Sequence, residues 1–515
     1  MFNKKMVPGT FVALLLLVAC SRQETNAPQA LQPATELRYG FTTEPATLDP
    51  LSPANTADGR SILFNVFEGL VKPDTEGRLQ PCAAESWTVE QGGLVYNFTL
   101  RQGVRFHDGS ILNSGDVKFT LDAAIAAGFA GFAQIEKVET QGDYTVKVNL
   151  KTPDTEFLPY ITIGIVKADN ADREKNVIGT GPYKIESYTV QQSLVLRKFD
   201  DYWQRFLPEA KDMPHLDKIT IVFLADSNAL LLGLKGGSID GASITGSIAH
   251  QLEPDRFDIV PGYSAAVQLL ALNNGVKPLD DIRVRQAINY GIDVQEIIDT
   301  AFYGQGDPSG SPLIPGLAVY YEKSLVNPYP VDVDRARSLL AAAGVPNGQK
   351  LSLEITVPSN YTMHVDTAQV IVGQLAKIGI DASIKLVDWA TWLSDVYRNR
   401  KYQATIISLD AQNVSPRSFL SRYHSGSGSN FINFKSADFD RVYNAALAEA
   451  DDEKRAALYR EAQRIISANA ASVYIQDIFY FKAFRGGIYG GVLNYPLFAI
   501  DFASMYGIAR DSKAN

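Results

Sequence analysis

The chain has 515 residues, 46% of them apolar, and a formal net charge of −9. That apolar fraction supports a sizeable core and excludes general disorder, and the length implies two or three domains. An acidic balance without basic runs argues against nucleic acid and against electrostatic binding to anionic lipid.

Lys4 and Lys5 precede an apolar run from Phe11 to Val18, which closes at Leu17-Val18-Ala19-Cys20. A basic start, a short apolar core and a small residue before the break mark a secretory signal. The run is shorter than the ~20 apolar residues of a membrane-spanning helix. Its ending resembles a bacterial lipobox, which implies cleavage after residue 19 and a lipid on Cys20. The alternative is an ordinary signal peptide that happens to contain a cysteine. Residues 21–34 are rich in Gln, Pro, Ala, Asn and Ser, so 20–35 read as the lipidated cysteine and a flexible tether. With Cys20 lipidated, Cys82 has no disulfide partner and reads as a small buried hydrophobe.

Order is expected from residue 36, where 37–41 alternate as a strand. Residues 45–58 read as a turn-rich loop. Ser61 then caps a helix with Ile62, Leu63, Val66, Phe67 and Leu70 on one face. Strands follow at 94–100, 144–150, 183–188, 193–199, 218–224 and 267–273. Ser114 caps one helix, and Asp226 caps another that stops at Gly236-Gly237. Beyond residue 276 helices are expected at 283–292, 294–303 and 334–343. Strands 351–357, 382–387 and 402–409 then alternate with helices 365–378 and 391–400, which implies βαβ units and a mainly parallel sheet. Helices 439–449 and 453–467 and strand 473–481 complete the pattern, and the aromatic stretch 495–507 is expected to pack back onto a domain.

The chemistry of catalysis is missing. There is no Gly-x-Ser-x-Gly, His-Glu-x-x-His, Cys-x-x-Cys or Gly-x-x-x-x-Gly-Lys. The five histidines, at 107, 215, 250, 364 and 424, form no i, i+4 pair. No enzyme, no cofactor and no metal site are therefore expected.

Several motifs carry a resemblance. They are Pro45-Ala46-Thr47-Leu48-Asp49-Pro50, Pro81-Cys82-Ala83-Ala84-Glu85-Ser86-Trp87, and Tyr96 through Gly109. Further on come Gly179-Thr180-Gly181-Pro182-Tyr183, Asp201-Tyr202-Trp203, and Arg283 through Tyr290. Together they resemble the peptide/nickel class of extracellular solute-binding proteins that feed ABC importers, from about residue 36 to the C-terminus. The resemblance implies an α/β fold of the two-lobe, periplasmic-binding-protein type (type II, the large peptide-binding class with an extra subdomain). Lobe I would comprise 36–72, 179–272 and 487–515, the extra subdomain 73–178, and lobe II 273–486. Hinge strands would pass near 273–276 and 481–486.

The ligand is then expected at the carboxyl ends of strands. On lobe II the loop after strand 402–409 offers Asp410, Gln412, Asn413 and Arg417. In peptide-binding relatives an aspartate of that loop pairs with the peptide amine, a role that would fall to Asp410; an ordinary turn acid is the alternative. Arg417 and Arg422 are either partners for a ligand carboxylate or surface groups. Trp389 is either an apolar wall of the cleft or lobe core. Tyr423 and His424 lie in a Gly/Ser-rich loop read as a cover over the cleft. On lobe I, Asn55, Thr56, Ala57 and Asp58 are expected to meet the backbone of an extended ligand. The resulting expectation is a monomeric lipoprotein, tethered outside the membrane, that delivers short peptides to ABC permease subunits. A nickel-chelate receptor of the same class is the alternative, and an extracytoplasmic hydrolase a more distant one.

Overall fold

The computed structural model describes residues 33–508 apart from 53, 130, 208–212, 346–349, 411–414 and 498. Strand β1 (Glu36–Phe41) opens the fold, and α1 (Ala57–Leu63) follows it. Helix α1 begins earlier than its apolar face suggests, because Thr56 rather than Ser61 is its cap and accepts from the Gly59 N–H. Residues 56–58 therefore belong to a helix N-terminus, not to a loop.

The hairpin β2 (Val71–Pro73) and β3 (Leu79–Pro81) leads into a four-stranded antiparallel sheet. Its strands are β4 (Ala84–Glu90), β5 (Val95–Leu100), β6 (Ile135–Thr140) and β7 (Thr145–Leu150). Helix α2 (Ser114–Ala126) is capped by Asn113, one residue before the serine that its sequence suggests. Val117, Leu121 and Ala124 of α2 share a core with Tyr96, Phe98, Val146 and Val148 of the sheet. This is the extra subdomain.

The chain then supplies β8 (Tyr183–Thr189), β9 (Ser193–Lys198), β10 (Lys218–Phe223), α3 (Ser227–Gly236), β11 (Gly241–Thr245) and α4 (Gly246–Ala249). Long strand β12 (Phe257–Leu272) leads to α5 (Ile282–Gly291), α6 (Val294–Ala301), β13 (Gly306–Pro308) and α7 (Val333–Ala342). Next come β14 (Leu351–Pro358), α8 (Thr362–Lys377), β15 (Ile380–Val387), α9 (Trp389–Thr391) and β16 (Ala404–Asp410). Helices α10 (Pro416–Leu420), α11 (Ala437–Ala448) and α12 (Asp452–Ala468) precede β17 (Ser472–Arg485).

One sheet runs through both lobes in the order β15-β14-β16-β12-β17-β11-β1-β10-β9-β8, with β13 added to β17. It is mixed rather than mainly parallel. Parallel pairs occur at β14–β15, β14–β16, β1–β10 and β1–β11, and antiparallel pairs flank and separate them. Two hydrophobic cores cover the faces of its lobe II half, and two more cover those of its lobe I half. The C-terminal stretch does pack back: Ile500, Phe502 and Met505 join Leu37, Tyr39 and Ile219 in the core of lobe I.

The lobes are joined by β12 and β17, which cross from one to the other. Residues 257–263 of β12 pair with 485–479 of β17 beside β11, and residues 267–271 pair with 477–472 beside β16. The register shifts between Tyr263 and Val267. The crossing therefore lies inside these strands, near 263–267 and 477–480, rather than at 273–276 and 481–486.

Candidate functional site

The register of the crossing strands fixes which ends of the lobes face each other. Thr245, the last residue of β11, pairs with Tyr480, and Asp410, the last residue of β16, pairs with Ala266. Both strands run toward the crossing, from opposite sides. Because β1 and β10 are parallel to β11, and β14 and β15 to β16, the carboxyl ends of all six strands converge on the junction between the lobes. That is where open α/β sheets take ligands.

On the lobe I side, α1 brings Asp58 to the end of β1. The Thr43 hydroxyl hydrogen-bonds its carboxyl group. Burial pushes that group above the usual carboxylate range, the Thr43 bond opposing the shift. No ion pair reaches Asp58 among the described residues. Its charge is felt by Tyr39 and by Tyr480, both already raised by burial. Asn55 spends its amide on the Asp49 carbonyl at 3.0 Å, while its buried Oδ1 has no hydrogen-bond partner among the described residues. Ala57 is exposed. A small cavity beside this wall is lined by Ser61, Ser243, Gly262, Tyr480 and Lys482. The Lys482 Nζ donates to the Leu493 carbonyl at 2.5 Å, and burial lowers its pKa to about 8.

On the lobe II side, Asp388 caps the turn after β15, accepting from the Thr391 N–H at 3.0 Å. This fixes Trp389, whose indole stacks on Trp392 with centroids 5.1 Å apart and planes 4° from parallel. Tyr361, after β14, meets Trp389 edge-on at 5.6 Å. Trp392 is buried and donates Nε1–H to Thr405 Oγ1 at 2.9 Å, whereas Trp389 and Tyr361 are 38% and 37% exposed. Trp389 is therefore not lobe core: it forms the open side of an aromatic stack anchored by a buried neighbour. The segment Trp392–Arg398 winds as a π-helix where a plain helix was expected, a form that recurs at functional sites.

Asp410 is exposed, and its carbonyl accepts from Arg422 Nη2 at 2.8 Å. Arg422 thus ties down the end of β16 through its backbone. Gln412 and Asn413, like Cys20, lie outside the described residues.

Two expectations are corrected. Arg417 is not open to a ligand carboxylate, because its guanidinium is paired with Asp154 of the extra subdomain. Tyr423 does not cover the cleft. It is fully buried, in ring contact with Phe434, Phe439 and Tyr474 at 6.0–6.5 Å. The Gly/Ser composition of the following loop suggested exposure, but the fold folds this tyrosine under that loop against aromatics further along the chain. His424 likewise contacts Tyr443. Among the described residues no group of His, Cys, Asp and Glu is arranged to hold a metal ion. The sequence reading missed Thr43, Tyr361 and Tyr480. Tyr361 follows a parallel strand as Asp410 and Trp389 do, so the rule that found those two applies to it equally.

Residues 78–431 match the family profile described as bacterial extracellular solute-binding proteins, family 5 middle. The chain is 26% identical to heme-binding protein A of Haemophilus influenzae over 557 residues, which covers 97% of this chain and 98% of that one. It is 30% identical to the glutathione-binding protein GsiB of Salmonella typhi over 454 residues, covering 82% and 84%. Among solved structures it is similar to the ABC transporter substrate-binding protein CtaP of Listeria monocytogenes. That match has a TM-score of 0.80 and 25% identity, and covers 92% of this chain and all of that one.

Proposed function

The chain belongs to the bacterial extracellular solute-binding proteins, family 5, the receptors of ABC importers, and on that premise we propose that its ligand is a short peptide. The peptide is held between the lobes and handed on to a membrane permease without chemical change.

The observation that carries this reading is the composition of the junction. One wall presents an aromatic face, Trp389 with Tyr361, beside the exposed carboxylate of Asp410. The other presents Asp58, a carboxyl group that no cation pairs with among the described residues. A peptide carries the complement: apolar side chains for the stack, and an ammonium that needs a carboxylate once it leaves water. Asp410 is the first partner for that ammonium in this reading, and Asp58 the second. The polar groups of 55–58 suit the peptide backbone. One relative is named for binding glutathione, itself a short peptide, which agrees with this class.

The tether belongs to the same reading. A lipid on Cys20 keeps the receptor beside its permease at high local concentration, and two or more acyl chains hold where one is marginal. The mass of the mature chain, with 19 residues removed and acyl groups added, tests it; Cys20→Ser abolishes the addition.

Thermal shift tests the ligand class. Di- and tripeptides, glutathione, nickel with histidine, and hemin are compared at equal excess. A ligand at ~100 times its dissociation constant adds ~2.7 kcal/mol of stability. Peptides are expected to give the shift, and Asp410→Ala to abolish it while leaving the melting point of the ligand-free chain nearly unchanged. A response to nickel–histidine or hemin with none to any peptide contradicts the proposal.

A further inference from the structure

Arg417 is taken by a structure of its own. Residues 154–156 follow β7 and form a rigid prong on the extra subdomain. The Asp154 N–H donates to the Gly93 carbonyl at 3.0 Å, and Gln134 Nε2 donates to Asp154 Oδ2 at 2.6 Å. The Glu156 N–H donates to Asp154 Oδ1 at 2.9 Å, and the Tyr96 hydroxyl donates to the Asp154 carbonyl. Gly93 has φ +96°, and a Cβ there would meet the Asp154 backbone at 2.7 Å, so only glycine lets the prong sit this close.

The tip of the prong enters lobe II. Asp154 pairs with Arg417 of α10. Glu156 Oε2 accepts from the hydroxyl of Ser415, the cap of α10, at 2.7 Å, and its Oε1 lies 2.8 Å from Arg455 Nε of α12. Between them the Thr155 hydroxyl donates to the Leu447 carbonyl of α11 at 2.8 Å. Asp154, Glu156 and Arg455 are 5%, 3% and 8% exposed. Three elements of lobe II are thus gripped by three consecutive residues of the subdomain.

The subdomain itself is fastened to lobe I. His107 contacts Gly179 and Gly181, and Glu68 gathers Cys82, Thr180, Tyr202 and Trp203. The prong therefore spans two bodies that the chain joins through β12 and β17.

Burial pushes the Glu156 carboxyl up, against the pull of Arg455 and Ser415. Burial alone would lower Arg417, but Asp154 beside it carries its pKa the other way. A buried ion pair gains little net free energy over its separated, hydrated partners, whereas one partner left alone in the contact is strongly unfavourable. Such a contact holds when complete and parts without large cost, unlike an apolar seam. It resembles the polar interfaces between domains that move.

We propose that residues 154–156 are a latch, an ionic contact between the extra subdomain and lobe II that holds the lobes in the arrangement seen here and so sets their open–closed balance from outside the ligand site. Ligand affinity then depends on residues the ligand never touches, because only the closed fraction binds fully.

The test needs no ligand, so it stands apart from the peptide assignment. Spin labels at exposed Glu90→Cys and Glu453→Cys, in the full chain, report the distance between subdomain and lobe II by pulsed electron resonance. Asp154→Asn strands Arg417 and is expected to shift the distribution away from the distance that this contact holds, by about a hundredfold in equilibrium constant. Arg417→Met, which leaves the hydrogen bonds within the prong intact, is expected to shift it the same way. Thr155→Val, which strands no charge and does not threaten the fold, is expected to move it the same way by about fivefold. Unchanged distances in Asp154→Asn, Arg417→Met and Thr155→Val overturn the latch.

Discussion

Glu68 accepts from the Thr180 hydroxyl at 3.0 Å, the Tyr202 hydroxyl at 2.9 Å and the Trp203 indole at 2.9 Å, with the Cys82 thiol at 3.6 Å. It is 7% exposed, and these donors satisfy it where water does not reach. Glu68→Ala leaves all four without their acceptor and is expected to cost ~3–5 kcal/mol in denaturant unfolding. Cys82, read from the sequence as a small buried hydrophobe, is fully buried and also a member of this group. His364 makes a second prediction. Its Nδ1 lies 3.1 Å from Gln268 Nε2, and burial lowers its pKa to about 4. The native pKa lies below the unfolded value of ~6.5, so between those values the unfolded chain takes a proton that the native chain refuses. Stability therefore falls as pH drops from ~6.5 toward 4, by ~3 kcal/mol for this group, and His364→Gln is expected to remove that part of the slope. At this scale the sequence pointed to residues by their place after strands. It placed Asp410 and Trp389 at the junction, but Arg417 and Tyr423 depend on partners hundreds of residues away or beyond a loop.

The elements were legible where periodicity was uninterrupted. Helices α3, α7, α11 and α12 begin within two residues of their expected starts, because capping acids and serines announce them. Strand β12 was half seen. The sequence placed a strand at 267–273, whereas β12 begins at Phe257, and its first part, which contains Pro261 and Gly262, pairs with β17. This half-hidden strand is the crossing between the lobes. Gly262 is packed so closely that a Cβ would lie 2.8 Å from the Tyr480 carbonyl oxygen. Gly262→Ala is expected to lower stability by ~1–3 kcal/mol through backbone displacement at the crossing. Gly236→Ala has open space around its Cβ and is expected to be near neutral in the same melting assay. The π-helix at Trp392–Arg398 had no sequence signal, since its apolar residues fit an ordinary helix equally well.

At the scale of the whole molecule, the two-lobe α/β architecture with an extra subdomain followed from the resemblance. What physics adds is the reason for its site. Antiparallel crossing strands turn the parallel sets of both lobes to face each other, so six strand ends meet at one junction. The mainly parallel sheet expected from alternating elements is mixed for the same reason. The cleft chemistry and the latch divide the labour: one recognises the ligand, the other biases closure. Native mass spectrometry of the chain after incubation with a digest of mixed peptides tests the central claim most directly. The prediction is one short peptide per chain, released with its mass unaltered and lost from Asp410→Ala. Retention of no peptide, or release of cleaved products, contradicts it.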